Sequence, residues 1–119
     1  MMLHAELAAR LADSDDPALA ALQPQLRHDA LEFMFANGVI LRARFAAPDA
    51  YSLRWQVGEA EYGIDTAPTH PELASAPSHL HLPDGRVVAD PLTRCGAEPW
   101  DNLVAVLHAL LREPRLETA

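Results

Sequence analysis

The chain reads as an α+β protein: an antiparallel β-meander of four to six strands, covered on one face by a C-terminal helix and preceded by short N-terminal helices. Three observations predict this. Between Asp29 and Thr66 apolar side chains recur at every second position, the period of a half-buried strand. Beyond Pro99 they recur at the spacing of an amphipathic helix, and near the start Leu3, Leu7 and Leu11 repeat every four residues. A chain of 119 residues, half of them apolar, is expected to build one core and one domain, 1–119.

The leucine repeat predicts a first helix over 2–12. Asp13-Ser14-Asp15-Asp16 supplies an N-cap, and Pro17 suits a first helical turn, so a second helix is expected over 17–22, stopped by Pro24. Four strands follow. Leu31, Phe33 and Phe35 alternate with Glu32 and Met34; Val39, Leu41, Ala43 and Phe45 alternate with Arg42 and Arg44; Tyr51, Leu53, Trp55 and Val57 alternate with Ser52, Arg54 and Gln56; Tyr62 and Ile64 alternate with Glu61, Gly63 and Asp65. Asn37-Gly38, Pro48-Asp49 and Gly58-Glu59 mark the turns. A two-residue loop at Asn37-Gly38 would set Phe33 against Arg42. A three-residue loop from Ala36 to Gly38, bulged at the glycine, sets Phe33 against Leu41 and Phe35 against Val39, which keeps each sheet face of one kind. Arg42, Arg44, Arg54, Gln56, Glu61 and Asp65 then share the face turned to water. His79 to Leu82 and Arg86 to Val88 flank Pro83-Asp84-Gly85 as a small hairpin. The final helix opens at Pro99, carries Trp100, Leu103, Val104, Leu107, Leu110 and Leu111 as its core stripe, with Asp101, Ala105, His108 and Arg112 opposite, and ends at Pro114.

Composition narrows the chemistry. All nine basic residues are arginines, so lysine chemistry, whether a Schiff base or a phosphate-loop lysine, is excluded. A formal charge of −8 opposes a surface that attracts nucleic acid everywhere, yet it permits a local arginine site and suits a basic protein partner. A single cysteine, Cys95, forms no internal disulfide, and the first residues lack both a basic start and a long apolar run; a cytoplasmic setting without membrane insertion is expected.

The stretch from Asp65 to Gly85 is where function is expected. Pro68, Pro71, Pro77 and Pro83 forbid one regular element there, and the loop concentrates His70, His79 and His81, three of the six histidines. His79 and His81 lie two apart on a strand and leave the same face. With Asp65 at the end of the preceding strand, and His70 if the loop folds back, they form a ligand set for a divalent transition metal. The same residues serve without any cofactor: a histidine whose ordinary pKa is about 6.5 moves protons near neutrality. An arginine such as Arg54 neutralises a developing phosphorane, a kit suited to cleaving RNA through its own 2′-hydroxyl. Arg54 and Asp65 can instead form a plain cross-strand ion pair. Cys95, Ser75 and Ser78 lack the flanking frames of nucleophiles; His108 is expected to be solvated; and Trp55 and Trp100 fall at core positions.

These features resemble the TumE-type toxin family of bacterial toxin–antitoxin pairs. The resemblance lies in Tyr51 to Trp55, Asp65-Thr66-Ala67-Pro68, His70-Pro71-Glu72-Leu73, Pro77 followed by His79 and His81, and Pro83-Asp84-Gly85. Thr66, Thr69, Ser78 and Leu80 depart from the family's pattern, which runs Asp-Asn-Ala-Pro-His-His-Pro and then Pro-His-His-Lys-His; Asp65, His70, His79 and His81 keep it. The resemblance implies a small cytoplasmic toxin, ribonuclease-like and acting on RNA, neutralised by a DNA-binding antitoxin. The alternative is a non-catalytic interaction domain, an inactive toxin homologue that binds a basic partner.

Overall fold

A computed structural model describes residues 3–116. The first helix, α1, spans Leu3–Ala12 and buries Leu7 and Leu11. Helix α2, Pro17–Ala20, starts where Asp16 accepts the Ala18 N–H at 2.9 Å, and proline at its first position has no N–H to leave unsatisfied. It stops short of residue 22 because Leu22 N–H turns back to the Leu19 carbonyl.

The strands are β1 (Gln25–Leu26), β2 (Leu31–Met34), β3 (Ile40–Ala47), β4 (Ala50–Val57), β5 (Ala60–Asp65), β6 (His79–His81) and β7 (Val87–Ala89). They form one sheet in chain order, each antiparallel to the next. Six are the expected meander and hairpin; the seventh, β1, is a two-residue edge too short to show a period. The first turn is the bulged one. Phe33 pairs with Leu41, Phe35 N–H donates to the Val39 carbonyl at 2.8 Å, and Gly38 sits at φ +91°, a conformation that side chains oppose.

Alternate residues of the sheet face the core: Leu31, Phe33, Leu41, Ala43, Leu53, Trp55, Ile64 and Leu80 are all buried. Helix α3 (Pro99–Arg112) covers them with Leu103, Val106, Leu107 and Leu110, together with Leu7, Leu11 and Leu19 from the N-terminal helices. Each such side chain contributes about 1.5–3 kcal/mol on removal from water. Among the described residues no helix is long and apolar enough to cross a membrane.

Three expectations for α3 and its surroundings are corrected. Its buried stripe includes Asn102 and Val106, whereas Trp100, Val104 and Leu111 are only partly buried. Asn102 enters because its amide grips the Arg94 backbone, accepting from the N–H at 3.0 Å and donating to the carbonyl at 2.9 Å. Trp100 instead receives the Arg10 guanidinium 4.5 Å above its ring. His108 is not simply solvated: its Nε2 lies 2.9 Å from Asp16, tying α3 to the start of α2.

Candidate functional site

The sheet's other face is open, and register sorts its side chains into cross-strand rows. One row runs Glu32, Arg42, Arg54, Gly63, His81, Val87 across β2 to β7. The next runs Arg44, Ser52, Asp65, His79, Ala89. Strand pairing therefore delivers the two histidines of β6 and the last residue of β5 to one patch, as their two-residue spacing requires.

Asp65 is the centre of that patch. Its Oδ1 lies 3.1 Å from His79 Nε2 and its Oδ2 lies 3.1 Å from His81 Nε2, so one carboxylate bridges both rings. The Ala67 N–H, donating to Oδ1 at 3.0 Å, holds the carboxylate in place as the chain leaves β5. His79 is 1% exposed, roofed by the proline loop, and its Nδ1 sits 3.0 Å from the Pro77 carbonyl. Both ring nitrogens thus face acceptors. A neutral ring carries one N–H, so either Nδ1 donates to Pro77 and Nε2 presents a lone pair to a cation, or Nε2 carries the proton toward Asp65. His81 stands at the mouth, its side chain 43% exposed.

The loop folds back. His70, 30% exposed, packs its ring edge-on to His79 at 4.9 Å between centroids, and His79 and His81 are 4.8 Å apart in the same manner. Reciprocal bonds between Ser75 and Ser78 shape the loop, and Ser75 Oγ accepts the Asp90 N–H at 2.8 Å. Asp90 in turn bonds Thr93, which meets the Tyr51 hydroxyl at 2.7 Å. Burial raises the Tyr51 pKa, so its hydroxyl keeps its proton and its place in this network.

Four expected site residues, Asp65, His70, His79 and His81, are therefore brought together. Arg54 is placed differently from the expected ion pair. It lies opposite Gly63, while Asp65 lies opposite Ser52, so the two belong to neighbouring rows, and Asp65 is occupied by imidazoles. Arg54 shares its row with His81 instead, and among the described residues it has no carboxylate partner. Two contributors were not anticipated: the Pro77 carbonyl, which fixes the His79 ring, and Gly63, which separates Arg54 from His81. An alternation pattern reads side chains and so passes over both a carbonyl and a glycine.

The ligand atoms of Asp65, His79 and His81 all lie within 4.8 Å of one another, and these three residues could hold a divalent cation. Without a metal, the carboxylate orients two imidazoles for proton transfer.

Fold and cluster define a small α+β protein with a histidine–carboxylate centre on the open face of an antiparallel meander. A family model described as Toxin TumE matches residues 5–117, and the chain belongs to that toxin family. Membership assigns it to the toxins of toxin–antitoxin systems, for which an antitoxin partner is implied. No curated protein and no solved structure matches it.

Proposed function

We propose that this toxin cleaves RNA at the Asp65–His79–His81 centre by proton transfer, and that its antitoxin is a DNA-binding protein of a cytoplasmic pair. The observation that carries the reading is the Asp65 carboxylate held 3.1 Å from the Nε2 of each histidine, with Arg54 in the row of the exposed one. His81 accepts the proton of a ribose 2′-hydroxyl. The 2′-oxygen forms a bond to phosphorus while the bond to the 5′-oxygen breaks, and His70 returns a proton to that oxygen. A 2′,3′-cyclic phosphate and a 5′-hydroxyl result. Arg54 neutralises the charge that gathers on the phosphoryl oxygens. His79, buried, with Nδ1 bonded to the Pro77 carbonyl and Nε2 3.1 Å from the carboxylate, positions Asp65 rather than touching RNA.

Growth after induced expression tests this. Arrest by the wild type and its loss in His81→Ala and His79→Ala/His81→Ala, with cyclic-phosphate ends in the extracted RNA, is the expected result. Arrest that persists in the double variant overturns the reading. A binding-only function draws on a different observation: Met34 and Ile40 form a cross-strand pair on the open face and are 76% and 46% exposed. That function predicts arrest lost in Met34→Asp/Ile40→Asp and retained in the histidine variants.

A further inference from the structure

Gly63 occupies the interior of β5 with no conformational need to be glycine. Its φ is not in the left-handed region, and a Cβ there would meet Arg54 Cγ at 3.5 Å and the Leu53 carbonyl at 3.9 Å, both ordinary contacts. Glycine weakens a strand, and one that neither the turn nor the packing demands commonly marks a close approach by something else. Here the Arg54 stem lies over Gly63, which is buried beneath it, and His81 stands on the far side of the same row. Two strand spacings, about 10 Å, separate the Arg54 and His81 backbones, and Gly63, the residue between them, adds no side chain of its own. A shallow cavity of about 470 Å³ opens there, lined by Arg42, Arg54, Gly63 and His81 and equally by Glu32 and Glu61. Glu32 is consumed by Arg27 and Arg42, each at 2.8 Å, and Glu61 faces Gln56 at 3.3 Å. Arg54 is left as the cation of the cavity without a carboxylate.

We infer that the cavity between the Arg54 stem, which covers Gly63, and His81 is the seat of one phosphodiester of single-stranded RNA, with Arg54 on one side of the phosphate and His81 on the other. Gly63 is a positioning residue: its missing side chain lets the Arg54 stem lie flat and leaves room for the phosphate. This rests on the RNA-cleaving reading and names where the backbone of that substrate sits. One dominant phosphate contact on an acidic protein predicts weak salt dependence, about a two- to threefold loss of affinity between 50 and 200 mM salt at the slope of ~0.7 per phosphate for single strands.

The test is fluorescence anisotropy with a labelled, mixed-sequence 2′-O-methyl hexanucleotide, which binds but lacks the attacking hydroxyl, alongside melting curves. The wild type is expected to bind it, and Gly63→Val and Arg54→Gln to bind at least tenfold more weakly. Gly63→Val should melt at or above the wild-type temperature, because valine suits a strand and the exposed arginine stem can move aside. Gly63→Ala, if the valine variant unfolds, should bind with intermediate affinity. Equal binding by the glycine variants and the wild type, or no binding by the wild type, overturns the seat. Displacement of the hexanucleotide by inorganic phosphate at the same phosphate concentration also overturns it, since a free anion would then be the ligand. A deoxy hexanucleotide bound equally well supports a seat that reads phosphate alone. Failure of the seat and failure of the reaction are separable. Binding lost in Gly63→Val, with no cleavage of 2′-hydroxyl RNA by the wild type, keeps the seat and removes the reaction. Cleavage by both proteins keeps the reaction and removes the seat.

Discussion

The open face of the sheet has two halves built from the same kinds of residue and used differently. Around β1 to β3 the charges are matched. Glu32 takes Arg27 and Arg42, and Asp29 takes Arg44, with Arg42 also within 3.8 Å. The Arg27 guanidinium, aided by Arg42, holds the Glu32 carboxyl below its usual range. Around β4 to β6 the matching stops. Arg54 has no carboxylate partner among the described residues; of the two acids of β5, Glu61 takes the Gln56 amide and Asp65 is spent on two imidazoles. A lattice of exposed ion pairs contributes little energy and offers nothing to a ligand, since its charges already answer one another. An uncompensated cation beside a carboxylate-oriented histidine has an electrostatic demand left over, which an anionic substrate can meet. Proximity to the proline loop sets the difference, because the loop roofs one half of the face only.

The largest effect that would break this contrast is functional. Asp65→Asn, which keeps the shape and removes the charge, should abolish growth arrest, whereas Asp29→Asn in the matched half should leave arrest at the wild-type level. Equal outcomes in a plate assay would mean that the halves do not differ in kind. The contrast can also be erased from the other side. Gly63→Glu would give Arg54 a carboxylate directly across the strand pair, copying the arrangement of Glu32 and Arg42. Arrest should be lost while the melting temperature stays within about 4–8 °C of wild type, the range expected for a change of 1 kcal/mol.

Stability separates the halves next. His79→Ala removes a buried ring, orphans the Pro77 carbonyl and deprives Asp65 of a partner, which should cost about 2–3 kcal/mol by chemical denaturation. His81→Ala, at a half-exposed position, should cost under about 1 kcal/mol, as should Asp29→Asn. Dialysis of the purified protein against EDTA should leave melting and RNA cleavage unaltered if the centre moves protons. A fall in both would mean that a divalent cation sits among Asp65, His79 and His81.

The smallest effect concerns pH at the matched end. His4 Nε2 accepts the Phe45 N–H at 3.0 Å, near where the β3–β4 register shifts, and burial lowers the pKa of His4 below 6.5. A base whose folded pKa is depressed protonates more readily when unfolded. Its stabilising contribution is complete above about pH 6.5 and is lost as pH falls through the folded value. The wild type minus His4→Gln difference in stability should therefore shrink on acidification from pH 7 to 5; a difference that grows would reverse the sign.

Most of the fold was legible because alternation is a local property. The bulged turn at Ala36 to Gly38, and with it the register of β2 on β3, followed from keeping Phe33 opposite Leu41. The stripe of α3 was less so. Trp100 and Asn102 exchange the roles their polarity suggests, since the amide is needed to clamp the Arg94 backbone and the indole has a guanidinium to cover it. Edge strand β1 carried too few residues to show any period.

The candidate site divides along the same line. The sequence by itself determined that His79 and His81 share a face, that Asp65 ends the strand before them, and that the prolines keep the segment between them out of any regular element. These follow from side-chain period and backbone sterics. Only the tertiary structure decided that Asp65 bridges both rings, that His70 returns to pack edge-on against His79, and that Arg54 stands across Gly63 from His81 rather than beside Asp65. Those outcomes depend on cross-strand register and on where a long loop closes. Both are settled by packing between residues distant in the chain, which no local pattern records.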